Sequence, residues 1–241
     1  NFSRVPSVCL ICHTKALINE HRTIKMVSGS CYDETGNRYP DNEDRVKCRQ
    51  NFQDFLLSGK KVNSSQLYPH QIYGNTDNSA TNVSSMQRKV IQAQWDSLIE
   101  NIKEKMEITK QAIIDSKIKS SDAKNMAEVA QMALSSGNFL ACPDISASMT
   151  WVGKAPNRPM DIGLALSAFM SEIASDDWKD LAMAFSSMPD IINMKGVNGR
   201  RLDVFERIEK LQRNSGGSTN YLGLHKKLVE ICTEKKIKDE D

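Results

Sequence analysis

Asp144, Ser146 and Ser148 put one carboxylate and two hydroxyls on the short stretch Asp144-Ile145-Ser146-Ala147-Ser148, directly after the apolar run Phe139-Leu140-Ala141-Cys142. Thr219 follows later in a second turn of small residues, Gly216-Gly217-Ser218-Thr219-Asn220. All four side chains offer hard oxygen donors. Mg²⁺ and Mn²⁺ prefer such oxygens in octahedral array, and Ca²⁺ takes the same donors with looser geometry. One chemistry open to such a set is the holding of a small divalent cation. Asp and Ser after a strand have an ordinary use too: they close turns and cap helices by accepting from free backbone amides. The pattern taken alone leaves both readings open.

A second metal reading rests on Cys9-Leu10-Ile11-Cys12-His13, with Cys31 and Cys48 as further thiolates and His21 as a spare imidazole. A structural zinc site needs four nitrogen or sulfur ligands, and its strong sequence form is a pair of Cys-x-x-Cys knuckles. Only one knuckle is present. The apolar neighbours Val8, Leu10, Ile11, Ala16 and Leu17 favour a buried helix in which cysteine acts as a small hydrophobe. Cys142 and Cys232 read as core residues in the same way.

No catalytic constellation is visible. His13, His21, His70 and His225 are scattered, no Gly-x-Ser-x-Gly elbow occurs, and Gly216-Gly217-Ser218-Thr219 lacks the Lys-Ser/Thr ending of a phosphate-binding loop. A non-enzymatic protein is expected. For nucleic acid the candidates are Lys60-Lys61, Arg88-Lys89, Lys103 with Lys105, and Arg200-Arg201, each of which also reads as ordinary solvated charge. With 32 basic against 30 acidic residues, the net charge of +2 gives no bulk footprint for a polyanion.

Among 241 residues, 39% are hydrophobic, enough for one large or two ordinary domains. No apolar run is long enough to span a membrane. The six cysteines are unevenly spaced, which fits a reducing, cytoplasmic setting better than a disulfide scaffold. The sequons at Asn1, Asn63 and Asn82 are short enough to occur by chance. The chain begins at Asn1 and reads as a piece of a longer polypeptide.

Helices must hold most of the first half. Residues 5–18 suit a short helix, 28–44 read as loop, and 45–57 form a helix stopped by Ser58-Gly59, with Gly59 at the position just past its end. Residues 74–85 read as linker. Ser84 and Gln87 form a capping box for a long helix to about residue 116, with Val90, Ile91, Trp95, Leu98, Ile102 and Met106 along one face. Residues 121–134 suit another helix. From 138 onward strand and helix signals alternate, as in α/β proteins. The expected order is a strand at 139–142, a helix at 159–174 packing through Ile162, Leu166, Phe169, Met170 and Ile173, strands at 181–185 and 190–194 pairing as a hairpin, and helices at 201–212 and 221–233.

The order strand, Asp-x-Ser-x-Ser, helix, two strands, helix, Gly-Gly-x-Thr, helix resembles the von Willebrand factor A-type domain over about residues 138–234. Asp144-Ile145-Ser146-Ala147-Ser148-Met149 is similar to the motif in the A-domain of Ro-type RNA-binding autoantigens, which join it to a helical TROVE module. Further segments are similar to a family of plants and giant DNA viruses that sets a related helical region before an A-like domain. They are Arg4-Val5-Pro6-Ser7-Val8-Cys9, Asp44-Arg45-Val46-Lys47-Cys48 with Asn51-Phe52, Leu67-Tyr68-Pro69-His70, Gln94-Trp95, and residues 159–166.

The resemblance implies a TROVE-like helical region over residues 1–135 and a doubly wound von Willebrand A-like α/β sheet over 138–241, lacking its last strands. It implies a metal-ion-dependent adhesion site with Ser146 and Ser148 as ligands, Asp144 bound directly or through water, and Thr219 from the second loop. No residue matches the family's later metal-binding Asp. The partner would supply an acidic side chain to the metal, and the open sheet edge could join another chain. The viral branch adds a virion or assembly role, whereas the Ro-type branch adds RNA binding with the A-domain as support.

Overall fold

The structure is a computed structural model and describes residues 2–27, 30–74, 83–118, 138–155, 157–185, 187–214 and 220–235, with side chains at all of these except 22–35, 113 and 116–118. The chain divides into two units, one of residues 1–68 and 75–98, the other of residues 69–74 and 99–241.

In the first unit, helix α1 (Ser7–Ile18) ends at Asn19, whose left-handed backbone (φ 42°) turns the chain. Asn19 also anchors the far end of the next segment: its carbonyl accepts from Arg38 N–H at 2.8 Å and its side chain from Tyr39 N–H at 3.2 Å. Between these anchors runs an antiparallel hairpin, β1 (Glu20–Val27) with β2 (Ser30–Asn37), in register from Glu20 opposite Asn37 to Val27 opposite Ser30. This corrects the loop expected over 28–44. The segment Ser30–Asn37 is polar and shows no alternation, so its strand identity rests on the ladder and on the Asn19 clamp rather than on a hydrophobic face.

Helix α2 (Glu43–Leu57) starts under the Asn42 side chain, which accepts from Arg45 N–H at 3.1 Å. It ends as expected, with Gly59 at φ 67°, a conformation that costs a residue with a β-carbon. Leu10, Ile18, Phe52, Phe55, Val62, Met86 and Val90 form the core of this unit. The Phe2 ring meets Phe52 edge-on at 5.0 Å. The long helix α4 (Ser85–Ile118), which follows the short α3 (Pro69–Tyr73), is capped as the sequence predicts. Ser84 N–H donates to Gln87 Oε1 at 3.1 Å and Gln87 N–H to Ser84 Oγ at 3.2 Å. Trp95 on its apolar stripe is fully buried.

The second unit is mixed helix and sheet. Helix α5 (Pro159–Ile173) leads to β3 (Leu181–Met183), which pairs antiparallel with β4 (Ile191–Asn193). On its other side β3 takes residues 141–144 in parallel, through bridges Ala141–Ala182 and Asp144–Phe185. Met183 N–H donates to Ala141 O at 2.8 Å and Phe185 N–H to Pro143 O at 3.3 Å. A continuous parallel ladder would take the bond between these two from the amide of residue 143, and proline has none. The expected strand is therefore present as two bridges.

Helices α6 (Val204–Arg213) and α7 (Tyr221–Lys235) complete the described part. Asp203 and Glu206 form a reciprocal capping box at the start of α6, with Val204, Phe205, Ile208 and Leu211 buried. A second core gathers Ala174, Trp178, Met183 and Ile231, with Phe139, Leu140, Leu224 and Leu228 packed on it.

The buried face of α5 differs from the expected one. Phe169 is buried as expected and Met170 and Ile173 are half-buried, but Ile162 and Leu166 are exposed, and Leu164, Ala165 and Ala168 are buried in their place. The helix is apolar nearly all round, so periodicity does not select a face; polar anchors do. Asp161 is held by a two-pronged ion pair from Arg158, both contacts at 2.8 Å. Ser171 and Glu172 meet the fully buried Arg207 of α6 at 3.2 and 3.3 Å. The two sheets are small and two-stranded by their full ladders. The helix expected at 121–134 lies outside the described residues.

Candidate functional site

The turn 144–148 sits where the parallel segment leaves β3. Alternation along that segment buries Ala141, Pro143 and Ile145 and turns Cys142 outward, with Asp144 half-buried. Asp144 Oδ1 accepts from Ser146 N–H at 2.9 Å, which folds the chain back on itself. A short 3₁₀ turn, Ala147–Thr150, then begins at Ser146. The outcome is that Ser146 Oγ and Ser148 Oγ lie 3.0 Å apart on the surface. Both the turn use and the convergence of hydroxyls foreseen for these residues are therefore present together.

That spacing bears on metal fit. Six ligands at about 2.1 Å around Mg²⁺ stand about 3.0 Å from their neighbours along each octahedral edge. The hydroxyl pair has the separation of two adjacent ligands, and it equally has the separation of an ordinary O–H···O hydrogen bond. The Asp144 carboxylate, two residues before Ser146, adds a hard, negatively charged oxygen to the same turn. Thr219 lies outside the described residues.

Other segments converge on the same end of the sheet. The Phe185 ring meets Tyr221 edge-on at 4.7 Å, and Asn220 Nδ2 donates to Ser187 O at 3.2 Å while its Oδ1 caps Gly223 N–H at 2.8 Å. This unit carries large apolar side chains in the open: Trp151 after the 3₁₀ turn is 80% exposed, Met188 in the loop after β3 84%, and Tyr221 and Leu222 in the first turn of α7 66% each. Sequence reasoning missed this apolar rim, because nothing in composition says which hydrophobic residues stay outside.

The remaining candidates fare differently. Cys9, Cys12 and Cys142 are exposed, and Cys48 and Cys232 half-buried, which corrects the core-cysteine reading for the first three. On α1 the buried positions are Ser7, Leu10, Thr14 and Ile18, so both cysteines of the motif fall on the outer side. Among the described residues no three His, Cys, Asp or Glu side chains gather as a metal-holding group, so Cys9, Cys12 and Cys48 are not brought together. The side chain of Cys31 lies outside the described residues.

Of the basic pairs, Arg200 is engaged by Glu206 at 2.7 Å and Arg201 by Glu172 at 2.6 Å. Lys60 and Lys61 are exposed, Lys89 is exposed beside a half-buried Arg88, Lys105 is exposed on α4, and Lys103 is exposed over most of its surface while its ammonium lies partly shielded. Lys103 lies within electrostatic reach of Lys179, Glu172, Arg201 and Asp180; partial burial and then Lys179 push its ammonium below the usual lysine range. His70 is pushed down by burial, with Asp161 opposing. Among the described residues no helix is long and apolar enough to cross a membrane.

The class these features define is a mixed α/β unit with an oxygen-rich turn at one end of its sheet. Residues 138–241 match the family described as a domain of unknown function (DUF7788). No curated protein and no solved structure matches the chain.

Proposed function

We propose that residues 138–241 form a von Willebrand A-like binding module whose turn 144–148 holds Mg²⁺ or Mn²⁺, and that the protein is a non-enzymatic scaffold. The observation that carries this reading is the 3.0 Å approach of the Ser146 and Ser148 hydroxyls, on a turn whose first residue, Asp144, holds the Ser146 N–H with its carboxylate. Two further features support it. The parallel pairing of residues 141–144 with β3, and the antiparallel pairing of β3 with β4, agree with one edge of an A-type sheet. The rim of Trp151, Met188, Tyr221 and Leu222 has the aromatic and methionine character of protein interfaces.

In this reading Ser146, Ser148 and Asp144 hold the ion, with Thr219 as the expected fourth donor. The ion supplies an open coordination position for an acidic residue of a protein partner. Trp151 and its apolar neighbours then cover the flanking side chains and exclude water from the contact, where a charge-assisted bond is stronger. A carboxylate alone gives a weak, exposed contact; metal and apolar rim together give one that is both strong and conditional on the ion.

The test is electron paramagnetic resonance of Mn²⁺ with the full chain. The wild type should withdraw Mn²⁺ from its free six-line signal, and a Ser146→Ala/Ser148→Ala double variant should leave that signal intact. Equal withdrawal by both would place the ion elsewhere.

A further inference from the structure

Cys9 and Cys12 are one helical turn apart on α1, and both are exposed. The turn that carries them is regular: Leu10 N–H donates to Pro6 O at 2.9 Å, and Thr14 Oγ1 donates to Leu10 O at 2.6 Å. In a regular helix, side chains three residues apart have β-carbons about 5–6 Å apart. A disulfide needs about 3.5–4.5 Å between the same atoms. At that spacing the two cysteines share one side of the helix, with β-carbons farther apart than those of a relaxed disulfide.

An ion between them closes that gap. Two metal–thiolate bonds of about 2.3 Å set end to end span about 4.6 Å between the sulfurs, a separation that β-carbons at helical spacing accommodate. The number of ligands then selects the ion. Zinc requires four donors, and among the described residues no group of three or more His, Cys, Asp or Glu exists here. A bare pair of soft thiolates suits a soft, low-coordinate ion instead.

We propose that Cys9 and Cys12 form a two-coordinate Cu(I) site on the outer face of α1. Binding releases the two thiol protons and changes no oxidation state, leaving a complex with one negative charge. Cys9 stands in the first turn of the helix, which contains no acidic residue, so the positive end of the helix dipole favours that charge. The site is independent of the turn 144–148.

The experiment is anaerobic transfer of Cu(I) from its coloured bicinchoninate complex to the full chain, followed by loss of absorbance. The wild type and Cys142→Ser should each take one copper ion per chain. Cys9→Ser and Cys12→Ser should take none at the same chelator concentration; both replacements lie on an exposed face, and circular dichroism checks that the helix is intact. Equal uptake by Cys9→Ser, no uptake by the wild type, or displacement of the copper by an equal concentration of Zn²⁺ would each overturn the assignment.

Discussion

Asp144 is bridged in parallel to Phe185, the residue whose ring stands edge-on to Tyr221 at 4.7 Å. One backbone pairing and one ring contact thus bring the turn 144–148, the loop after β3 and the first turn of α7 to the same end of the sheet. These two contacts tie the turn that carries the oxygen donors to Phe185 and Tyr221.

What holds the sheet in place is a buried charge cluster. Arg207 is 1% exposed, and its guanidinium bonds Asp180 at 2.5 Å, Glu172 at 3.3 Å and the Leu202 carbonyl at 3.2 Å. Asp180 is itself in the left-handed region (φ 61°), and its carbonyl accepts from Met194 N–H at 2.7 Å, next to β4. Arg207→Met takes the guanidinium from buried Asp180 and leaves Glu172 with Arg201 as its ion-pair partner, a loss of about 3–5 kcal/mol. Chemical denaturation of the full chain should show it; a change below about 1 kcal/mol would mean that water already reaches the cluster.

Ser84 works on two partners, capping α4 through Gln87 N–H and donating its hydroxyl to the Glu20 carboxylate. Ser84→Ala should cost about 1 kcal/mol, measured in the same denaturation experiment. Gln87→Ala should cost less, since the Glu20 contact survives it. Equal losses would show that the Glu20 contact contributes nothing.

These cases show what the sequence makes legible. The Ser84–Gln87 box and the Gly59 stop are local, spanning a few residues, and both are found as expected. The helices at 159–173, 204–213 and 221–235 follow from periodicity, and the pairing of β3 with β4 from two short apolar runs close in sequence. The hairpin of β1 and β2 was not legible, because its second strand is polar and depends on Asn19. The buried face of α5 was hidden too: Arg207 lies thirty-odd residues beyond Ser171 and Glu172, and only the fold reveals that they meet. At the site, the Asp-x-Ser-x-Ser spacing pointed to converging oxygens, whereas the exposure of Trp151 and Met188 had no sequence signal.

Tyr73 is buried against Phe205, their rings 5.8 Å apart. Burial pushes its phenol above the usual range, with Asp161 adding to the effect and Arg158 opposing it. The folded state therefore keeps the proton longer than the unfolded chain, which loses it near pH 10. Stability from this group is intact below about pH 10 and is lost as pH rises toward the folded value. Tyr73→Phe should flatten the decline in stability between about pH 9 and 11. An unchanged slope would assign the decline to other groups.

Lys103 presents the opposite sign. Its ammonium is disfavoured first by partial burial and then by Lys179, while Glu172 and Asp180 offset part of this. A lysine lowered in the fold contributes stability only above its ordinary range and is a cost when charged at neutral pH. Lys103→Met should raise the midpoint of thermal unfolding at pH 7. A fall would mean that attraction to Glu172 and Asp180 outweighs the other terms.

The central claim is a divalent ion on the turn 144–148, and calorimetry of Mg²⁺ and Mn²⁺ binding to the full chain tests it most directly. The informative variant is Asp144→Asn, since an amide oxygen can still accept from Ser146 N–H and so keeps the turn, while the negative charge is gone. The account predicts saturable binding of one ion by the wild type and affinity lower by about 100-fold in the variant. Equal binding by both, or none by the wild type, would contradict it and leave the turn as a structural element alone.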